Sequence, residues 1–555
     1  MILSEDPGTR AHRLYWGLAG LLCLVWLATL AGRPLFNPDE ARYAEIPREM
    51  LSGGDWVIPH LNGLDYIEKP PLQYWATAAS YGLLGVSEFS ARLYTALTAL
   101  ATIALIGFLA ERLSGNGAGW RAAAVLSGMF MFVVLGQLMT LDMSLTFWMS
   151  ASLAAFLLAQ QAQRARQAPQ AQSAERGWML FAWLAAALGV LTKGLVAAAI
   201  PAAVLVIYSV CMRDYSPWRK LHLAWGLPLF LAVTVPWHWL AAQRLNDFLQ
   251  FFLVREHFAR YLTPIADRHE PWWFFGWVFL AGTVPWTVPA LRVLVTGWRT
   301  PRGQFSPTVF LWIWVVFICV FFSISDSKLM PYILPAMPAL AVLIGTQSLP
   351  TLKRDLLMTS ILTTGAALAL GVASFALPQL IRDSPGRPYF LLLAKPVREV
   401  AVLLLVSGLF VWVQKVRNVT RAAAVLGVGW CLAVLLLVRA ATLVAPIYSG
   451  IDLAAALPAA DRLAPLYSVR TYDQSLTFYL RRTVMLVGYR GELDYGLRKA
   501  PDREIPDVDG FLTAWNAQST AYAVMDKRTF DSFKERGVPM HTVGQNVGEV
   551  MVSRQ

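Results

Sequence analysis

Val309-Phe-Leu-Trp-Ile-Trp-Val-Val-Phe-Ile-Cys-Val-Phe-Phe-Ser-Ile324 carries no charged side chain, and Ser325-Asp326-Ser327-Lys328 follows at once. An apolar run of this length with ionisable groups only at its edge is a membrane span, because hydrocarbon tolerates apolar side chains and a helix satisfies its own backbone. The rest of the chain repeats the pattern. Further apolar blocks, each about 15 to 25 residues long, begin near Tyr15, Leu93, Gly119, Leu145, Trp178, Leu195, Leu221, Trp272, Pro331, Leu356, Val397 and Ala422. The expectation is a polytopic α-helical membrane protein with about thirteen transmembrane helices. Composition agrees: 56% of the 555 residues are hydrophobic and 15% charged, with a mean hydropathy of +0.49. A soluble fold cannot bury that much apolar surface, so a soluble enzyme is excluded.

The net charge of +12 is scattered between the apolar blocks instead of lining one face, which sets topology and does not suit nucleic-acid binding. With Arg10 and Arg13 cytoplasmic, every second connection is basic, as the positive-inside rule requires; the last such connection holds Lys415, Arg417 and Arg421. The N-terminus is expected in the cytoplasm. Cys23, Cys211, Cys319 and Cys431 all fall in apolar segments and form no CxxC pair, which points to packing.

The expected division is a transmembrane catalytic domain over 1–445, with outer loops at 33–92 and 242–271, and a soluble periplasmic mixed α/β domain over 446–555. Leu72 to Val86 is apolar but short and reads as a non-spanning interfacial helix. Ala464 to Tyr472 and Thr483 to Gly488 read as strands.

Ionisable groups near a membrane are costly, so their clustering is informative. They gather on the outer side. The first loop holds Asn37-Pro-Asp-Glu-Ala-Arg-Tyr43 and Tyr66-Ile-Glu-Lys-Pro-Pro71; Asp142, Lys193 and Ser325 to Lys328 sit at span ends, and another loop carries Arg255, His257, Arg260 and His269-Glu270. Asp39-Glu40 after Pro38 also fits a chemically silent helix cap. Cations grouped with acids fit an anionic lipid phosphate with a carboxylate beside it.

The first-loop motif, the run Tyr66-Ile-Glu-Lys-Pro-Pro-Leu-Gln-Tyr-Trp75 and the run Lys328-Leu-Met-Pro-Tyr-Ile-Leu-Pro335 resemble membrane glycosyltransferases of the GT-C class. Within that class the chain resembles the lipid A (undecaprenyl phosphate) aminoarabinose transferases, relatives of protein O-mannosyltransferases, and Tyr472 to Leu486 is similar to their C-terminal domain. The resemblance implies transfer of 4-amino-4-deoxy-L-arabinose from undecaprenyl phosphate to lipid A phosphates, conferring polymyxin resistance. It implies Asp39 and Asp142 as catalytic acids, with Arg42, Tyr66, Glu68, Lys69, Arg255, Arg260, Lys328 and Tyr332 as substrate contacts. Family members can hold a divalent metal near the first-loop Glu; here Glu68 and His257 would be its ligands, a thin set, and no cofactor is otherwise expected. Two rival functions remain at this point: another GT-C transferase with a protein or glycan acceptor, and a transporter or flippase, whose ionisable groups would lie at mid-membrane on broken helices.

Overall fold

The computed structural model describes residues 7–164, 169–259, 261, 269–299, 305–384 and 386–554. Each of the thirteen apolar blocks contains helix, and two of them are broken. Among them, eight helices are long and apolar enough to cross a membrane, from Glu88–Ser114 to Val419–Tyr448, and a ninth span forms if Ala118–Gly128 and Phe130–Gln137 count as one. That pair bends by 67° at Met129, whose backbone is extended. Four shorter apolar helices, Tyr15–Ala28, Val196–Met212, Thr287–Thr296 and Met330–Gly345, accompany them. The block that begins at Trp272 is two helices, Phe274–Gly282 and Thr287–Thr296. The segment Leu72–Leu84 is a helix of 13 residues, too short to span.

The chain divides into two compact units. The first comprises 1–31, 92–374 and 396–438 and holds most of the spanning helices. Its helices close on small residues: a Cβ on Gly128 would stand 2.8 Å from Gly427 Cα, and one on Gly345 would stand 2.7 Å from the Ala122 backbone. Close backbone approach of this kind replaces the hydrophobic drive that lipid removes. The helix span Leu141–Ala162 is 89% enclosed by protein, whereas Leu223–Arg244 is only 17% enclosed and offers its side chains to lipid. The enclosed helix carries Asp142 in its first turn.

The second unit comprises 32–91, 375–395 and 439–555. Its first-loop part is the helix Asp39–Gly53, a hairpin of β1 (His60–Leu61) and β2 (Leu64–Asp65), and the helix Leu72–Leu84. Its C-terminal part is a six-stranded sheet of β3 (Leu466–Val469), β4 (Met485–Val487), β5 (Glu504–Ile505), β6 (Tyr522–Asp526), β7 (His541–Gln545) and β8 (Glu549–Ser553), ordered β5-β4-β3-β6-β8-β7. The two strand segments read from sequence are β3 and β4. Strands β5, β4, β3 and β6 are parallel, and β8 and β7 close the sheet antiparallel. Tyr467, Val469, Phe511, Trp515, Phe533 and Val552 form the core beneath it, with Phe511 and Phe533 stacked at 5.8 Å.

Candidate active site

In the second unit, Pro38 occupies the N-cap of the helix Asp39–Gly53, and no side chain caps it. Asp39 is therefore not a cap, and the two neighbouring acids divide their work. Glu40 is buried and takes a fork of two hydrogen bonds from Arg33, at 2.7 and 3.1 Å, plus one from Phe36 N at 3.3 Å. It is a structural ion pair. Asp39 is 47% exposed and accepts one bond from Arg42 Nη1 at 3.2 Å.

Arg42 is buried and almost fully engaged. Its Nε and Nη2 donate to the two carboxylate oxygens of Glu492 at 3.2 and 2.9 Å, and Gln474 Nε2 donates to Glu492 at 2.6 Å. A bidentate clamp fixes the guanidinium plane, leaving Nη1 to aim at Asp39. Sequence reasoning placed Arg42 on substrate; in the structure its guanidinium donates to Asp39 and is itself held by Glu492. Glu492 lies 450 positions along the chain from Arg42 and carries no local motif. Glu492→Gln is expected to lower kcat about tenfold with KM little changed, because the aim of the carboxylate and not ground-state binding is lost. Steady-state kinetics on purified protein measure both, and a raised KM at unchanged kcat would contradict the orienting role.

Beside Arg42 lie buried tyrosines. Tyr66 Oη, Tyr74 Oη and Thr77 Oγ1 are sealed from solvent and make no hydrogen bond within the described residues. Burial, and after it Glu68, pushes the Tyr66 phenol well above its ordinary range, so it remains a neutral hydrogen-bond donor. Lys69 is largely buried; its Nζ donates to the Glu68 carbonyl at 2.9 Å and stands 3.9 Å from the Glu68 carboxylate.

In the first unit, Lys193 Nζ meets Asp142 Oδ1 at 2.5 Å and lies 5.1 Å from the Tyr332 ring centre. Asp142 is thus half of an ion pair backed by an aromatic face. Lys328 is 6% exposed and has no hydrogen-bond or ion-pair partner among the described residues. Its loop is pinned: Asp326 N and Ser325 Oγ both donate to Tyr261 O, and Ser327 bridges to His269. Arg255 lies on Phe251 at 5.1 Å. Arg260 and the His257 side chain lie outside the described residues. Among those described, no three His, Cys, Asp or Glu side chains converge on a metal-sized site, and the charged group beside Glu68 is Lys69. No such set converges on Glu68 among the described residues.

Residues 454–554 match the family model of the aminoarabinose transferase C-terminal domain, and 15–252 that of dolichyl-phosphate-mannose-protein mannosyltransferase. An undecaprenyl phosphate-alpha-4-amino-4-deoxy-L-arabinose arabinosyl transferase of Pseudomonas aeruginosa (strain UCBPP-PA14) is 33% identical over 519 residues, 89% of each chain. The namesake from Aeromonas salmonicida is 34% identical over 341 residues, where the alignment spans 60% of that relative's length. The crystal structure of ArnT from Cupriavidus metallidurans bound to undecaprenyl phosphate superposes with a TM-score of 0.87 at 34% identity, covering 99% of this chain and 98% of that one.

Helices, sheet and these likenesses define a polytopic membrane glycosyltransferase of the GT-C class, and the transporter reading falls away. Within that class, the chain belongs to the family of undecaprenyl phosphate-alpha-4-amino-4-deoxy-L-arabinose arabinosyl transferases.

Proposed function

We propose that this protein transfers 4-amino-4-deoxy-L-arabinose from undecaprenyl phosphate to phosphate groups of lipid A on the periplasmic side of the inner membrane. The observation that carries this reading is Lys328, a lysine only 6% exposed whose ammonium has no partner among the described residues. A largely enclosed cation with no protein partner suits an anionic ligand, and the donor supplies a phosphate.

A polyprenyl phosphate leaves readily once cations stabilise its charge, so the chemistry needs no nucleotide site. Lys69, Arg255 and Lys328 hold phosphate charge, and Tyr66 and Tyr332 line the sugar or carrier. The acceptor phosphate is already anionic near neutral pH and needs no base. Asp39, aimed by Arg42, stabilises the positive charge that develops on the sugar. A single displacement inverts the anomeric centre.

Expression in a polymyxin-sensitive host that lacks its own transferase tests the function. Lipid A should gain pentosamine on its phosphates by mass spectrometry; unmodified lipid A beside a newly glycosylated protein or glycan would transfer the proposal to the other GT-C acceptor class. Lys69→Ala should lose most of this transfer, about 100-fold, while inserting normally. Wild-type polymyxin resistance in that variant would remove Lys69 from the donor phosphate. Orientation has its own test. Reporter fusions at Lys415 and Arg421 are expected to be active only as cytoplasmic reporters, and one after Arg470 only as a periplasmic reporter.

A further inference from the structure

The C-terminal sheet contains a second cationic crevice that the transfer chemistry does not use. From β3 the chain moves outward to β4 and β5, then returns to β6 on the opposite side of β3. The direction of winding therefore reverses between the parallel neighbours β3 and β6. In open α/β sheets, the crevice outside the carboxyl ends of two such strands is where ligands are held.

A cavity of about 250 Å³ lies there. Arg470, the residue after β3, lines it together with Asp526 at the end of β6, Arg528, Thr529 and Ser532 on the following helix, Lys527–Glu535, and Arg536 at that helix's C-cap. Val508 and Phe533 supply apolar wall.

Three arginines and one aspartate thus line the cavity, and that aspartate's carboxylate is committed elsewhere. Asp526 accepts from Thr529 N at 2.9 Å and Thr529 Oγ1 at 3.0 Å, capping the helix. The capped helix end is not the anion donor; the arginines are. Arg536 reaches Asp509 at 3.5 Å, but that carboxylate is 90% exposed and such a pair contributes little. Arg470 and Arg528 have no carboxylate partner among the described residues.

Guanidinium forks match the paired oxygens of a phosphate, which a single ammonium does not. The cavity is smaller than the roughly 300 Å³ at which pockets for drug-sized ligands begin. Its occupant is compact. We propose that the crevice between β3 and β6 is a phosphate-binding site, additional to the donor and acceptor contacts of the transfer reaction, that takes a phosphate or pyrophosphate group from a lipid headgroup or from solution. The assignment does not depend on the proposed transfer chemistry.

Calorimetric titration of inorganic pyrophosphate into the full chain, held in phosphatidylcholine nanodiscs, tests it. Arg470→Gln with Arg528→Gln should remove one pyrophosphate site per chain, or weaken it at least tenfold, with an unchanged unfolding midpoint because both side chains are exposed. Arg470→Lys with Arg528→Lys keeps the charge and guards against a folding artefact. It should bind several-fold more weakly than wild type, and wild-type affinity there would overturn the guanidinium assignment. Undiminished binding in the Gln variant, or equal displacement by chloride at matched ionic strength, would overturn the site itself. Adding phosphatidic acid to the nanodiscs separates the two sources: loss of the pyrophosphate site assigns it to headgroups, and its retention assigns it to soluble phosphates.

Discussion

Asp39→Asn is expected to leave a folded, correctly inserted protein whose turnover of undecaprenyl-phosphate sugar falls about 100- to 1000-fold. The fold should survive because Asp39 supports so little of it. Pro38, not Asp39, occupies the helix N-cap, and the Asp39 side chain is 47% exposed with one contact, to Arg42. Pairs of that kind contribute about 0–1 kcal/mol. Asn also retains an oxygen that can accept from Arg42 Nη1, so the Glu492–Arg42 clamp stays in place. What disappears is the negative charge, and with it the stabilisation of a sugar carbon that gains positive charge as the phosphate departs. Rate measured on purified variant, alongside its unfolding midpoint, separates the two roles. Native turnover would return Asp39 to a mere surface acid, and a drop in midpoint with proportional loss of rate would make it structural.

The neighbouring pair shows how far the sequence could be read. Asp39 and Glu40 are adjacent acids after a proline, and nothing local distinguishes them. The distinction comes from Arg33, which locks Glu40 in a buried fork, and from Glu492, which reaches Arg42 from the other end of the chain. Partnerships of this range leave no periodic trace, so Glu492 and its clamp on Arg42 were not legible. Apolar length, in contrast, is a local property that the bilayer enforces, and each apolar block contains helix. Breaks inside the blocks escaped notice because their causes are local backbone choices within apolar sequence. Met129 turns extended and bends one span by 67°, and the stretch between Gly282 and Thr287 splits another. In the C-terminal part, β3 and β4 were legible as short β-rich runs, while β7 is half exposed and mixed in polarity, and gave no alternation to read.

Lys328→Met is expected to separate stability from activity in the opposite sense to an ordinary core mutation. Lys328 is 6% exposed, and no described residue pairs with its ammonium. An enclosed side chain whose ammonium has no partner adds little to the fold, and an apolar side chain of similar length fills the same space without opening a cavity. The unfolding midpoint of the ligand-free variant should therefore stay level or rise. If the ammonium instead exists to receive the donor phosphate, transfer should fall about 100- to 1000-fold, because a charge-assisted contact that strengthens as the phosphate leaves is lost. Undecaprenyl phosphate should, for the same reason, raise the midpoint of wild type but raise that of Lys328→Met far less. A buried lysine kept only for packing predicts a different set of results: near-native transfer and equal stabilisation by the lipid phosphate in both proteins. The pairing of higher intrinsic stability with lost ligand response is the pattern of a site residue held at a cost to the fold, and it would locate the donor phosphate at the Lys328 loop.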